Sequence, residues 1–544
     1  MSDFKKIHLI ILFILFMITV LSVESSFCQT EQNFKINVIP TPLETILYNG
    51  HFKITSDTRI YFNQEAIVAV DYFLDKIKTS TGIELRTVND STKNIIQFVQ
   101  DSSLKQLGEG SYKLEINTSG IRISSHDEAG FFYAVHTVLQ LLPAEVFSDH
   151  KVVSLSLKLP YVFIKDTPKY SWRSFMLDSG RQFQTKEFIK RYLDYLAMLK
   201  INVFHWHLTE GQGWRIQINK YPKLTKVGGF VAQGEEQQGF YTQEEIKEIV
   251  QYAKDRFITV VPEIDLPGHS EAALNAYPEY TCFREPPETV MEYSSNLFCG
   301  GDEKTYTFIQ NILDEVCKLF PSKYIHLGGD EAPKDNWDSC IVCQKRMKEE
   351  GLKNSHELQV YFSTRLANYL KTKGKKVILW GDIVEKDGPR LPDNVIIYWW
   401  NYRKNKDLAF QNAIKNNYQI ICGTNYYTYL NFPVTQWSNY KSDRTFNIRT
   451  AYEKNPSDIL NPSKLVLGVG TCLWTDWYVT MSMIDKRVFP RIFVMAEQMW
   501  NSGEKITFED FYQRVKSQYD RLKILRINYG PAMENEITKD FSWD

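Results

Sequence analysis

The sequence predicts an α/β protein in which a (β/α)8 barrel follows a small α+β domain, and three observations predict it. From Ser174 onward, short apolar runs of strand length alternate with stretches of helical periodicity. Eight such runs occur, the number that closes a barrel. Polar and aromatic residues gather just after one run after another, where such a barrel carries its site. At 544 residues the chain exceeds one small domain. We divide it into residues 1–28 as a signal peptide, 31–165 as a small α/β domain without clustered chemistry, and 168–544 as the barrel domain.

The leader carries Lys5-Lys6, an apolar run from Ile7 to Val23 and then Glu24-Ser-Ser-Phe-Cys28. A basic start, an apolar centre and a polar end describe a secretory signal, and the run is short against the roughly 20 residues of a membrane span. The chain is therefore expected to be exported, to the periplasm or the cell surface. Cys28 is where a lipid anchor would attach, although Phe27 is larger than the residue such sites prefer. Within 31–165, strand-like runs occur at Phe52–Ile54, Arg59–Phe62, Ile95–Val99, Tyr112–Asn117 and Gly120–Ser124, with helical periodicity over Ala66–Thr79 and Glu128–Leu142. The barrel strands are read at Ser174–Asp178, Val203–His207, Thr259–Ile264, Tyr324–Leu327, Val377–Trp380, Val395–Trp399, Gln419–Cys422 and Leu465–Thr471. Helices are read at Lys186–Leu199, Gln243–Arg256, Thr305–Leu319 and Ser355–Lys373. The fifth connection, Gly381 to Asn394, is too short for a full helix, so that unit is expected to be degenerate.

The strand ends carry the chemistry. Arg181 follows the first strand, His205-Trp-His207-Leu-Thr-Glu210 the second, and Asp265-Leu-Pro-Gly-His269 the third. Trp380-Gly-Asp382 and Trp399-Trp400 end the fifth and sixth, and Tyr429-Leu-Asn431 and Trp474-Thr-Asp476 lie past the seventh and eighth. The fourth end is the most specific: Tyr324-Ile-His-Leu-Gly-Gly-Asp330-Glu331-Ala-Pro333. Gly-Gly lets the backbone turn sharply, and Pro333 sets its direction as it leaves. Adjacent carboxylates repel each other's ionisation, so one can hold a proton near neutral pH, as a general acid must. A two-carboxylate retaining glycosidase sets acid and nucleophile about 5 Å apart across the scissile bond, which sequence neighbours cannot easily do. With Glu331 as the acid, Asp330 is left to orient a substrate group that attacks in the protein's place.

His326-x-Gly-Gly-Asp-Glu331 resembles the signature of the family 20 glycoside hydrolases, the β-N-acetylhexosaminidases, and the resemblance extends over most of the chain. It implies an exo-acting enzyme that releases terminal non-reducing GlcNAc or GalNAc by substrate-assisted, retaining catalysis. Glu331 would protonate the departing oxygen and then act as base. Asp330 would orient the 2-acetamido group, whose carbonyl oxygen attacks C1 to give an oxazolinium. Tyr429 would bond that carbonyl, Trp380, Trp399 and Trp474 would wall the pocket, Arg181 would grip O3 and O4, and His269 would stand beside the acid. Glu210, Asn431 and Asp476 fall where the family meets the O4/O6 edge. The domain at 31–165 resembles the one that precedes the barrel in this family, and no cofactor or metal is implied.

Three departures cluster at that edge. The usual Asp-Asp after His-Leu-Thr is Glu210-Gly211, the usual Tyr-Leu-Asp is Tyr429-Leu-Asn431, and the usual Trp-Thr-Glu is Trp474-Thr-Asp476. Loss of a charge at Asn431 lowers like-charge repulsion, so 6-sulfo-GlcNAc is an expected substrate. Two other classes compete. His205-x-His207 invites a metal-dependent amidohydrolase, but it stands on the second strand, where that class needs the first. A catalytically inactive carbohydrate-binding homologue is opposed by retention of both Asp330 and Glu331. A net charge of −1 with interspersed signs resembles no nucleic-acid-binding chain, which leaves an oligosaccharide as the partner. Of the eight cysteines, Cys282 and Cys299 flank a polar loop and are the expected disulfide. Cys340-x-x-Cys343 is half of a metal site, and without a second C-x-x-C no zinc is expected.

Overall fold

The computed structural model describes residues 36–543 except 90–93, 232, 233, 235, 236, 289–293, 402–406, 437–443, 460–463, 477 and 478. The leader and Cys28 lie outside the described residues. Residues 37–544 form one compact unit.

Its N-terminal part is a seven-stranded mixed sheet. Strands β1 (Glu44–Lys53), β2 (Arg59–Phe62), β3 (Arg86–Thr87), β4 (Ile95–Gln100), β5 (Tyr112–Asn117), β6 (Gly120–Ser125) and β7 (Lys158–Asp166) lie in the order β1-β7-β5-β6-β4-β2-β3. Helices α1 (Ile67–Thr81) and α2 (Glu128–Leu141) accompany it. The Asp127 carboxylate caps α2 by accepting from the Gly130 N–H at 2.7 Å. Three of its strands escape the sequence reading: β3 has only two residues, both exposed, and β1 and β7 escape for other physical reasons. Only Phe52 of β1 is buried, so this edge strand shows no alternation, and Phe52–Ile54 catches only its end. β7 carries Pro160, opposite His51 of the edge strand, and a proline demotes a run that otherwise reads as a strand.

The barrel follows the predicted pattern closely. Strands β8 (Trp172–Asp178), β9 (Val203–His207), β12 (Thr259–Glu263), β13 (Tyr324–His326), β14 (Lys376–Trp380), β15 (Val395–Trp399), β16 (Gln419–Cys422) and β17 (Val466–Leu473) close on themselves, every pair parallel. A short hairpin of β10 (Thr209–Glu210) and β11 (Gly213–Trp214) follows β9. The principal outer helices are α3 (Lys186–Met198), α4 (Gln243–Lys254), α5 (Glu303–Leu319), α6 (Ser355–Thr372), α7 (Leu408–Lys415) and α8 (Ile492–Trp500). Their starts are written in the sequence. Thr185, Asp302 and Asn354 cap α3, α5 and α6, and Thr242 forms a capping box with Glu245 at α4. The fifth connection holds a single 3-10 turn, Gly381–Val384, as its length requires.

One buried ion pair joins sheet to barrel. Lys200, just past α3, donates to Asp166 at the end of β7 at 2.9 Å, and both side chains are fully buried. Asp166 also accepts from Tyr112 of β5 at 2.7 Å and from the Trp500 indole of α8 at 3.0 Å. Such a pair resists loss of either partner, because the other charge would be stranded without water.

Candidate active site

Inside the barrel, alternate residues of each strand face the axis, and at the β9–β12–β13 sector they form a polar floor. Glu263 at the end of β12 accepts from the Trp380 indole at 2.7 Å. It pairs with His205 Nε2 at 2.8 Å and His207 Nδ1 at 2.7 Å, and His326 Nδ1 lies 3.1 Å away. Burial pushes its carboxyl up, but His326, His207 and His205 more than offset this and hold it well below the carboxylate range. The His205-x-His207 pair is thus engaged by a carboxylate. Sequence reasoning gave Glu263 no role. The available signal was a charge inside the apolar run Thr259–Ile264.

From this floor a chain of alternating charge leads to the mouth. His207 Nε2 reaches Glu210 Oε2 at 3.2 Å, and bonding two carboxylates makes it an imidazolium. Burial alone would lower its pKa, but Glu263 and Glu210 raise it well above the usual value. Glu210 takes Arg181 Nη2 at 3.1 Å on one oxygen, and His269 Nδ1 at 2.8 Å and the Gly211 N–H at 3.0 Å on the other. Glu210 therefore stands behind Arg181 and His269 instead of lining the pocket as expected; it is 2% exposed. Arg181 is further fixed by Asp178 at 2.9 Å and lies over the Trp474 ring at 5.2 Å. His269 Nε2 then faces Asp330 Oδ2 at 3.8 Å.

The turn after β13 presents Asp330 and Glu331. Gly328 (φ 62°), Gly329 (φ 100°) and Glu331 (φ 43°) all adopt left-handed backbone. A Cβ at Gly328 would sit 1.7 Å from Asp265 Oδ1, so glycine is obligatory where this turn passes Asp265. Asp265 accepts the Gly329 N–H at 3.1 Å, and burial pushes its carboxyl up to about 7. Glu331 holds a conformation that costs a non-glycine residue about 1–3 kcal/mol. Its N–H donates to Asp382 Oδ1 at 3.4 Å, and Asp382 in turn accepts from the Trp400 indole at 2.6 Å. Asp382 and Trp400 were quoted in the sequence motifs without a role; the structure makes them the brace of Glu331.

Asp330 is buried, and its Oδ1 has no hydrogen-bond partner among the described residues. Burial, then the charges of Asp265, Asp382 and Glu331, raise its pKa well above the ordinary value against the opposing pull of His269. An amide N–H donated to Oδ1 would favour the ionised form.

Three of the aromatic residues expected at the site lie together, and one does not join them. Trp474 lies 5.8 Å from Trp380 and 6.1 Å from Tyr429. Burial keeps the Tyr429 hydroxyl protonated, a donor at neutral pH. Trp399 is not a wall: Tyr398 faces the interior beside Trp380, so the next side chain points outward, where Trp399 packs on Phe410 of α7 at 4.7 Å. The wall is the following residue, Trp400, which lies parallel to Tyr429 at 6.4 Å. At the far edge, Asn431 past β16 donates to Asp476 Oδ1 past β17 at 3.1 Å, which leaves Asn431 Oδ1 as a buried acceptor.

Comparison with known proteins matches this architecture. Residues 170–503 fit the model of glycosyl hydrolase family 20, catalytic domain, and residues 35–167 fit domain 2 of that family. A Porphyromonas gingivalis beta-hexosaminidase is 38% identical over 513 residues, which is 91% of this chain and 64% of that protein. A Vibrio furnissii beta-hexosaminidase is 33% identical over 72% of this chain and 65% of its own length. The chain thus spans a little under two thirds of these relatives. The crystal structure of a Bacteroides fragilis beta-N-acetylhexosaminidase superposes with a TM-score of 0.85 at 46% identity, over 93% of this chain and 99% of that one. A Vibrio harveyi GH20 exo beta-N-acetylglucosaminidase, solved with N-acetylglucosamine, superposes at 0.80 with 27% identity, over 91% of this chain and 78% of the other.

Proposed function

The chain belongs to glycosyl hydrolase family 20, and from that premise we propose that it is an exo-acting β-N-acetylhexosaminidase that removes terminal non-reducing GlcNAc or GalNAc by substrate-assisted, retaining hydrolysis. The observation that carries this reading is the buried Asp330 Oδ1, an acceptor without a partner among the described residues, beside a braced Glu331.

The substrate's acetamido N–H donates to Asp330, which turns the acetamido carbonyl toward C1 and stabilises the charge it develops. That oxygen forms a bond to C1 while the glycosidic C1–O bond breaks, and Glu331 passes its proton to the departing oxygen. The product is an oxazolinium and a free aglycone alcohol. Glu331, now a carboxylate, takes a proton from water as the water oxygen bonds C1 and the oxazolinium ring reopens; two inversions leave the anomeric configuration unchanged. Tyr429 donates to the acetamido oxygen, and Trp380, Trp400 and Trp474 keep water away from the charged intermediate. Arg181, held by Asp178 and Glu210, presents its fork to the ring hydroxyls.

The test compares kcat/KM on 4-nitrophenyl 2-acetamido-2-deoxy-β-glucoside and the plain β-glucoside. A large preference for the acetamido sugar is expected; equal rates overturn the mechanism. A second reading, acceptance of 6-sulfo-GlcNAc, is favoured by the missing charge at Asn431 and opposed by the acceptor oxygen that residue presents. The ratio of rates on sulfated and unsulfated aryl GlcNAc decides it, and a strong preference for the unsulfated sugar ends it. We propose also that the chain is exported by its leader, supported by Lys5-Lys6 and the run Ile7 to Val23; fractionation of expressing cells tests this, and palmitate labelling lost in Cys28→Ser would establish the anchor.

A further inference from the structure

Four cysteines from two loops meet at the site end of the barrel. Cys282 and Cys299 come from the segment between β12 and α5, and Cys340 and Cys343 from the segment that follows Glu331. Their sulfurs all lie within 4.8 Å of one another. The expected Cys282–Cys299 disulfide is not formed; all four are free thiols. Cys343 Sγ stands 3.8 Å from Cys282 Sγ and 3.7 Å from Cys299 Sγ. A disulfide needs sulfurs about 2.05 Å apart. Four sulfurs about 2.3 Å from one zinc ion, at the corners of a tetrahedron, lie roughly 3.8 Å apart. One sulfur at that separation from two others is the geometry of a shared centre, not of a pair.

The backbone is shaped to bring these loops together. A Cβ at Gly301 would lie 2.4 Å from Val342 O and 2.7 Å from the Cys343 Cα, and one at Gly300 would lie 3.0 Å from the Trp337 ring. Only glycines let the turn after Cys299 approach the helix Ile341–Glu349 this closely. That helix has Cys340 at its N-cap and Cys343 in its first turn, where the backbone field favours thiolates.

We propose that Cys282, Cys299, Cys340 and Cys343 form a structural zinc site, in which each thiol releases its proton and the four thiolates complete the coordination of one Zn²⁺. The elimination made from sequence fails because it sought a second C-x-x-C, whereas the other two ligands are far apart in sequence and adjacent only in the fold. The ion would clamp the third strand's loop, which carries Asp265 and His269, to the fourth, which carries Asp330 and Glu331. It takes no part in hydrolysis, so its test is independent of the proposed activity.

The full chain, purified without chelator, is examined by elemental analysis, native mass spectrometry and thiol titration. One zinc per chain is expected, with the four thiols unreactive toward Ellman's reagent until an organomercurial displaces the metal. Apo chain reloaded with Co²⁺ alone is expected to show the intense visible bands of a tetrahedral cobalt thiolate. Cys340→Ser/Cys343→Ser is expected to lose the zinc. A metal-free wild type, with either four reactive thiols or the mass loss of disulfides, overturns the site, as does zinc retained in full by the double variant. The wild-type stoichiometry and the cobalt spectrum decide the matter even where that variant does not accumulate.

Discussion

Glu263 at the barrel floor and Asp330 at its mouth are both buried carboxyls, and their surroundings push them in opposite directions. Glu263 is surrounded by His205, His207, His326 and the Trp380 indole, and the imidazoles hold its carboxyl well below the usual range. Asp330 has His269 at 3.8 Å on one oxygen, no partner among the described residues on the other, and a carboxyl raised well above the usual range. Burying a polar group is tolerated when its bonds are made and costly when they are not. The Glu263 carboxyl is therefore architecture, with both oxygens bonded before any ligand arrives, although His205 Nδ1 and His326 Nε2 beside it have no partner among the described residues. The mouth keeps an unsatisfied acceptor, a stability cost that makes sense where a substrate amide completes the set.

The comparison can be broken most severely at the residue that Asp330 serves. Glu331→Gln removes the proton donor and is expected to lower kcat up to about 10⁴-fold, with Tm nearly unchanged; a variant retaining wild-type rate would remove Glu331 from the chemistry. Glu263→Ala takes from buried His205 its hydrogen-bond partner and from buried His207 one of two, and is expected to cost about 3–5 kcal/mol in urea unfolding, which would be absent if the floor were not architecture. Asp330→Asn should do the reverse: kcat falls about 10²–10³-fold, while stability at neutral pH rises because a carboxyl that resists ionisation is gone. The sign follows from linkage. A carboxyl raised in the folded state stabilises below its unfolded pKa and loses that contribution as pH rises through the folded value. A lower Tm for Asp330→Asn than for wild type at pH 7.5 would place the two carboxyls in the same class.

Glu271 is an intermediate case. Burial pushes it up to about 7, with Ser294 donating to it. Wild type should lose stability between about pH 4.5 and 7 on its account, and Glu271→Gln should flatten that decline, by on the order of 3 kcal/mol at most; identical pH–Tm curves would refute it. The smallest effects separate two adjacent indoles. Trp400→Phe removes the donor to Asp382 and is expected to lower kcat/KM about tenfold, a loss of about 1.4 kcal/mol. Trp399→Phe should leave kcat/KM within about twofold, since its ring packs on Phe410 outside the barrel.

The barrel strands were legible because parallel strands buried on both faces are continuous apolar runs, and the strand ends announced themselves through Gly328-Gly329 and the carboxylates after them. Strand β1 was not, because an edge strand with one buried residue in ten carries no periodic signal. The displacement of Trp399 by Trp400 turned on a single residue of register, which reverses the face a side chain meets. Glu210 was found but misplaced: its type and position were evident, while its partners Arg181, His207 and His269 come from three different segments.

What the sequence determined by itself was local and periodic: the succession of strands and helices, their caps, and the glycine turn that carries Asp330 and Glu331. What only the tertiary structure decided was saturation: which buried carboxyl has its bonds made and which waits, and which four sulfurs share a centre. The reason is physical. Periodicity is a property of neighbours along the chain, whereas the energy of a buried charge or thiolate depends on groups gathered from distant segments.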